Sequence, residues 1–226
     1  MAAAVSRRAV PRPTWVGLSL AVGLVLTVVW TLWAAPGLDA RLVVDGVVFL
    51  LAPLALGAAY GRHLGWRVDR RAVRNAVLLA LFVLPFYVVG SSLPTVRAFY
   101  PMWGLESAAA AAFWPHAAKQ FTLVLAAETY YRGLLCVGVR ELGFKSVFIS
   151  PVVYALAHAA KPPIELALSG PTDVLFGAVD YRSNSILPSV IAHGAGLVLL
   201  DWLVLHPPLL EPNRVVGWLS WLPVPL

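Results

Sequence analysis

The chain has 226 residues, of which 60% are hydrophobic and only 12% are charged. Soluble domains carry about 25% charged residues, so this composition excludes a soluble globular protein and predicts a polytopic membrane protein. The net charge of +6 would suggest nucleic-acid binding in a soluble chain, but here most basic residues lie in loops between apolar runs, so we exclude nucleic acid as a partner. The single cysteine excludes an intrachain disulfide and a cysteine-rich metal site.

The first third of the chain predicts three membrane spans. A basic arm over 1–13 precedes an apolar run over 14–35, which is too long for the apolar core of a signal peptide and is interpreted as a retained span. Further apolar runs follow over 42–60 and about 75–89, and the loop between these two carries five arginines. By the positive-inside rule, the arm and this loop are both expected in the cytoplasm, which places the N-terminus there.

The rest of the chain is more polar and predicts shorter or interrupted elements. Residues 91–118 are expected outside the membrane core or along its surface, and a fourth span is expected to begin near a favourable first-turn proline at 115 and to end near 139. A fifth span is predicted over 144–160. After a Ser-Gly-Pro turn, 173–179 is too short to cross and is expected to form part of a broken or re-entrant span. The last span is predicted over 185–205.

These runs together predict the fold class. We expect an all-α polytopic transmembrane helix bundle of about six to eight membrane helices, one of them short or broken. The whole chain, 1–226, is interpreted as a single integral membrane domain with a functional core at about 115–205.

Ionisable residues occur at membrane depth on three predicted spans, at Glu128 with Arg132, at His158 and at His193. Glu128 and Arg132 are four residues apart and so share a helix face, as a structural ion pair or as part of a site. Brought into one cavity, a glutamate could act as general base while the imidazoles hold a water or stabilise an oxyanion. The same groups could bind Zn²⁺, although the usual His-Glu-x-x-His pair is missing.

Three segments carry motifs in a fixed order, 127–133 (AETYYRG), 154–158 (YALAH) and 185–193 (SILPSVIAH). In this order and spacing they resemble the CAAX-processing and bacteriocin-processing (CPBP, Abi) intramembrane proteases. The first family motif begins with two glutamates and ends with Arg-Gly, the second is Phe-x-x-x-His, and the third begins with a histidine. The resemblance covers about 123–202.

The resemblance implies a role for each matching residue. In the family, the first glutamate and the second-motif histidine activate water, which assigns these positions to Ala127 and His158. The third-motif histidine stabilises the oxyanion, which assigns that role to His193. The second glutamate and the arginine support the site, as Glu128 and Arg132 would here.

Three positions depart from the family pattern. The asparagine or aspartate that follows the third-motif histidine is replaced by Leu197, and Asp201, one turn farther along the same face, is a candidate substitute. Tyr154 stands in the place of the second-motif phenylalanine and is a candidate support residue. The general base is missing at Ala127, either in a natural pseudoenzyme or by deliberate replacement of a native glutamate, and we favour the replacement.

The sequence therefore predicts a glutamic-type intramembrane endopeptidase in an inactive form. Its expected substrates are membrane-associated or C-terminally anchored polypeptides, including C-terminal sorting signals, and its expected location is the bacterial inner membrane. The expected partners are membrane lipid and the polypeptide substrate. No cofactor is expected, and Zn²⁺ held by His158 and His193 is the alternative. A non-catalytic scaffold and a small ion or proton transporter remain as rival functions.

Overall fold

A computed structural model describes residues 12–157 and 161–226 of the chain, with side chains for 14–154 and 161–226. Every regular element in these ranges is helical, which confirms the predicted all-α bundle. The elements are α1 (Arg12–Leu32), α2 (Gly37–Asp45), π1 (Gly46–Leu51), α3 (Ala52–Ala59), α4 (Arg70–Gly90), α5 (Pro94–Phe99), a 3₁₀ turn (Met102–Gly104), α6 (Ala110–Glu128), π2 (Thr129–Val137), a 3₁₀ segment (Arg140–Phe148), α7 (Ser150–Ala157), α8 (Pro163–Ser183), α9 (Leu187–Val204) and α10 (Pro212–Leu219).

Four helical stretches within the described residues are long and apolar enough to cross a membrane. They are Thr14–Leu32, Gly37–Ala59, Arg70–Gly90 and Leu187–Val204. Each falls within or overlaps a span predicted from the sequence, and the protein is an integral membrane protein. The middle of the chain, from α6 to α8, packs among these helices and carries four completely buried charged residues, Glu128, Arg132, Asp173 and Asp180.

The sequence predicts an interrupted helix around 173–179, but the structure places the interruption elsewhere in the chain. Helix α8 is continuous through Pro171, so the expected turn and the short helix over 173–179 are wrong. Buried contacts of Asp173 and Asp180 on this helix outweigh the local penalty of an interior proline. The interruption occurs instead before α7, where Gly143 bends the 3₁₀ segment at a positive φ of 66° that other residues avoid.

Helix α6 begins earlier than predicted. It starts at Ala110, and Pro115 lies inside the helix rather than in its first turn. The last nine residues of the stretch 91–118 therefore belong to this helix, while their expected position outside the membrane core or along its surface stays a prediction. An alanine-rich run has the highest helix propensity of any composition, which explains why the helix extends past the proline on its N-terminal side.

Two glycines allow α9 to pack closely against α4 and α6. A Cβ added at Gly196 would lie 2.1 Å from the ring of Tyr87 on α4, and one added at Gly194 would lie 2.6 Å from Phe121 on α6. Such distances are shorter than any van der Waals contact, so neither position has room for a side chain. This packing fixes α9 beside the last turn of α6.

Candidate active site

Glu128 is the last residue of α6, and its side chain is completely buried. Its Oε1 lies 2.7 Å from Nδ1 of His193 on α9, and its Oε2 lies 3.2 Å from Nε of Arg132. The ion pair predicted from the four-residue spacing is therefore present. Both carboxylate oxygens are engaged by protein groups, one by the histidine and one by the guanidinium.

Arg132 is completely buried and pairs with a second carboxylate, Asp173 on α8. Its guanidinium also lies over two aromatic rings, 4.8 Å from the centroid of Tyr154 and 5.7 Å from that of Phe176. One buried cation thus joins α6, π2, α7 and α8. A buried charge is tolerated only with such compensation, which makes this network the anchor of the site.

The network extends to both neighbouring helix ends. Ser150, the first residue of α7, donates its hydroxyl to Oδ2 of Asp173 at 2.5 Å. On the other side, Asp180 accepts the backbone N–H of Ser189 at 3.1 Å and also the hydroxyl of that serine. The two hydrogen bonds from Ser189 to Asp180 hold the first turn of α9, four residues before His193, and so help to set the position of the imidazole.

The chain winds as a π-helix directly after Glu128, over Thr129–Val137. The widened turn is visible in the bond from the N–H of Gly138 to the carbonyl of Gly133, five residues earlier, at 2.7 Å. Gly133 itself faces the carbonyl of Leu64, which would lie 3.0 Å from an added Cβ. Single π-helical turns are frequent at functional sites, where they re-aim side chains.

Ala127 contributes only a methyl group and is partly buried against the apolar cluster around Tyr130 and Tyr154. The neighbouring Glu128 makes other contacts, since its Oε1 hydrogen-bonds to His193 and its Oε2 pairs with Arg132. His158 lies outside the described residues, so its relation to Ala127 stays a prediction. Among the described residues, no group of three metal-binding side chains is close enough to hold an ion.

Asp201 belongs to a second polar cluster on α6 and α9. Its Oδ2 lies 3.4 Å from Nε2 of His116, which in turn lies 2.9 Å from Nε2 of Gln120. Asp201 follows His193 by eight residues on a continuous helix, a separation of about 12 Å along the axis. The structure therefore places Asp201 with a different histidine, and Leu197 packs in an apolar cluster.

Sequence reasoning missed the role of Asp173 and Asp180. Both are acidic residues in an otherwise apolar stretch, and this is the signal that could have found them, since such residues face a protein interior or a polar cavity. Tyr87 was also missed. Its ring packs against Gly196 on α9, the helix that carries His193.

Comparison with known proteins identifies one family. The model of the Rce1-like family, described as type II CAAX prenyl endopeptidase Rce1-like, matches residues 109–198. These residues run from the start of α6 into α9 and include every motif named above, so the resemblance predicted from the motifs is confirmed. No curated protein and no solved structure matches the chain.

Proposed function

We propose that this chain, whose residues 109–198 match the model of the Rce1-like CAAX prenyl endopeptidase family, is a glutamic-type intramembrane endopeptidase that lacks its water-activating carboxylate. One observation carries the proposal. Glu128 and Arg132, which are completely buried, form a connected network with the partly buried His193, while the adjacent position where a general base is expected holds the methyl group of Ala127. The framework of the site is intact, and the group that would deprotonate water is missing.

The geometry suggests how a restored site would work. A glutamate at position 127, together with His158, would take a proton from water as it attacks the scissile carbonyl. The Glu128 carboxylate accepts the Nδ1 proton of His193 and fixes the imidazole orientation. In its imidazolium form, His193 donates a hydrogen bond from Nε2 to the oxyanion, and the Glu128 carboxylate stabilises the imidazolium. Collapse of the tetrahedral intermediate then breaks the C–N bond, and the proton taken from water passes from the glutamate at position 127 to the leaving amine.

The substrate class follows from where the network lies. Its charges are buried among helices of a membrane bundle, so the scissile peptide must enter between helices rather than from bulk water. Polypeptides with a membrane-associated or C-terminally anchored segment have that access, and C-terminal sorting signals are the preferred members of this class. The proposed location is the bacterial inner membrane, with the arginine-rich loop and the N-terminus in the cytoplasm.

The test is proteolysis in liposomes by the parent protein and the Ala127→Glu variant, with a panel of tail-anchored polypeptides and polypeptides carrying C-terminal signals. We expect cleavage by the Ala127→Glu variant, no cleavage by the parent, and no effect of a chelator. Loss of the Ala127→Glu activity in chelator would replace the glutamic mechanism by a zinc mechanism. Equal cleavage by both proteins would contradict the assignment of position 127.

A second candidate function is non-catalytic binding of the same polypeptides. It is favoured by another departure from the family pattern, Leu197, whose side chain packs in an apolar cluster and cannot assist an oxyanion. This candidate predicts that parent and Ala127→Glu bind a substrate equally and that neither cleaves it. The same liposome panel, read by co-purification as well as cleavage, separates the two functions.

A further inference from the structure

An amphipathic groove lies between α4 and α8, away from the buried charge network. Its volume is about 390 Å³, and its lining divides into a cationic end and an apolar wall. The cationic end is formed by Arg71, Arg74 and Arg182. Asn75 lies between the two ends, and its Nδ2 donates to Oγ of Ser183 at 2.8 Å, which ties the two helices together.

The cationic end attracts anions more strongly than single surface arginines do. Arg71 and Arg74 are three residues apart on the first turns of α4, so both extend from one helix face, and Arg182 lies in the last turn of α8. No carboxylate is among the residues that line the groove in the described part of the chain.

The apolar wall continues from this cationic end along both helices. Leu78 and Phe82 follow Arg74 by about one and two turns of α4, and their side chains are 58% and 57% exposed. Leu175 and Val179 form the facing wall on α8. The groove therefore leads from charged residues at the end of a spanning helix into the apolar thickness of the membrane.

Buried contacts shape the groove from beneath. Leu79 packs with Phe176 of α8 in one apolar cluster, so the spacing of the two helices does not depend on a ligand. Phe176 also lies 5.7 Å below the Arg132 guanidinium and 6.3 Å from the ring of His193. An occupant of the groove would thus be separated from the candidate active site by a single layer of side chains.

We propose that this groove binds one anionic phospholipid. Its phosphate would lie among the three guanidinium groups, which favour phosphate through charge-assisted hydrogen bonds. One acyl chain would lie along the apolar wall of α4 and α8. A zwitterionic lipid binds less well because its ammonium group would have to lie in the same positive field. The proposal does not depend on whether the chain hydrolyses peptides.

The test uses the full chain purified in a neutral detergent. Native mass spectrometry with equal amounts of phosphatidylglycerol and phosphatidylcholine is expected to retain the anionic lipid at least fivefold over the zwitterionic one. Phosphatidylglycerol is also expected to raise the melting temperature, whereas glycerol phosphate, which has the phosphate without acyl chains, is not. Equal retention of the two lipids, or equal stabilisation by glycerol phosphate, would overturn the proposal.

Two double variants with the same loss of charge locate the site. Arg71→Gln with Arg182→Gln is expected to lower phosphatidylglycerol retention at least fivefold and to abolish the rise in melting temperature. Arg70→Gln with Lys145→Gln removes two exposed cations that do not line the groove, and it is expected to keep both effects. Equal loss in the two double variants would show general charge attraction and contradict a groove site. If Arg71→Gln with Arg182→Gln lowers the melting temperature even without lipid, the proposal is judged on the parent protein alone, by its retention of phosphatidylglycerol over phosphatidylcholine.

Discussion

Replacement of Arg132 by methionine should destabilise the protein more than any single change at an exposed ion pair. The Arg132 side chain, together with those of Glu128 and Asp173, is completely buried. Removing one partner of a buried ion pair costs about 3–5 kcal/mol, because the remaining charge loses its compensation. In the Arg132→Met variant, Glu128 keeps His193 as a partner, whereas Asp173 loses its only cation among the described residues.

The size of this loss has an upper bound. A carboxyl group with an ordinary pKa of about 4 can be protonated at pH 7 at a cost of about 4 kcal/mol, so one uncompensated Asp173 cannot cost much more than that. We therefore expect Arg132→Met to lower the free energy of unfolding by about 3–4 kcal/mol at pH 7. The penalty should shrink by about 1.4 kcal/mol for each pH unit below 7, since protonation becomes easier.

The measurement is equilibrium unfolding in mixed micelles, followed by tryptophan fluorescence at several pH values. Arg67→Met is the matched control, because Arg67 and its partner Asp69 are 46% and 33% exposed. Exposed pairs contribute about 0–1 kcal/mol, so the control should change stability by no more than that. A second variant, Arg132→Met with Asp173→Asn, should recover about 2 kcal/mol or more. Equal losses in Arg132→Met and Arg67→Met would refute the buried network as the anchor of the site.

Two further predictions concern packing and pH. Gly196→Ala should destabilise the protein by about 1–3 kcal/mol through overpacking against Tyr87. Gly170→Ala, with no atom within 4 Å of the added Cβ, should be neutral or stabilising in the same unfolding assay. Equal effects of the two alanine variants would contradict the close approach of α4 and α9. Burial lowers the pKa of His63, whose Nδ1 accepts a backbone N–H at 2.9 Å. The unfolded chain therefore takes up a proton first, stability is lost as the pH falls through the ordinary histidine pKa of about 6.5, and His63→Gln should reduce this loss; an unchanged pH profile would contradict it.

The Glu128–Arg132 pair and the main spans could be predicted because they depend on local spacing and on apolar run length. A four-residue separation places two side chains on one helix face whatever the fold, and a long apolar run can be satisfied only in a membrane. The third member of the network could not be predicted in this way. Asp173 meets Arg132 only through the packing of α8 on π2, and a single sequence does not contain that information.

Pro171 and Gly143 also show the limit of prediction from local sequence. Both residues favour a break locally, and the sequence reading placed the break at the proline. In the structure, buried hydrogen bonds of the aspartates on α8 keep that helix whole, while Gly143 has no such contacts and bends. Local propensity is a weak guide where buried polar contacts decide. The π-helix after Glu128 could not be predicted either, because no local pattern in the sequence indicates it.

The central proposal is that position 127 lacks the carboxylate that would activate water. The most direct test compares Ala127→Glu with Ala127→Gln, which has nearly the same size and shape but no basic carboxylate, on one polypeptide that both variants bind in liposomes. We expect single-turnover cleavage by Ala127→Glu alone, with the parent and Ala127→Gln at least a hundredfold slower, since a positioned general base contributes about 10²–10⁴-fold. Cleavage by all three proteins at similar rates would contradict the account and point to His193, oriented by Glu128, as the base.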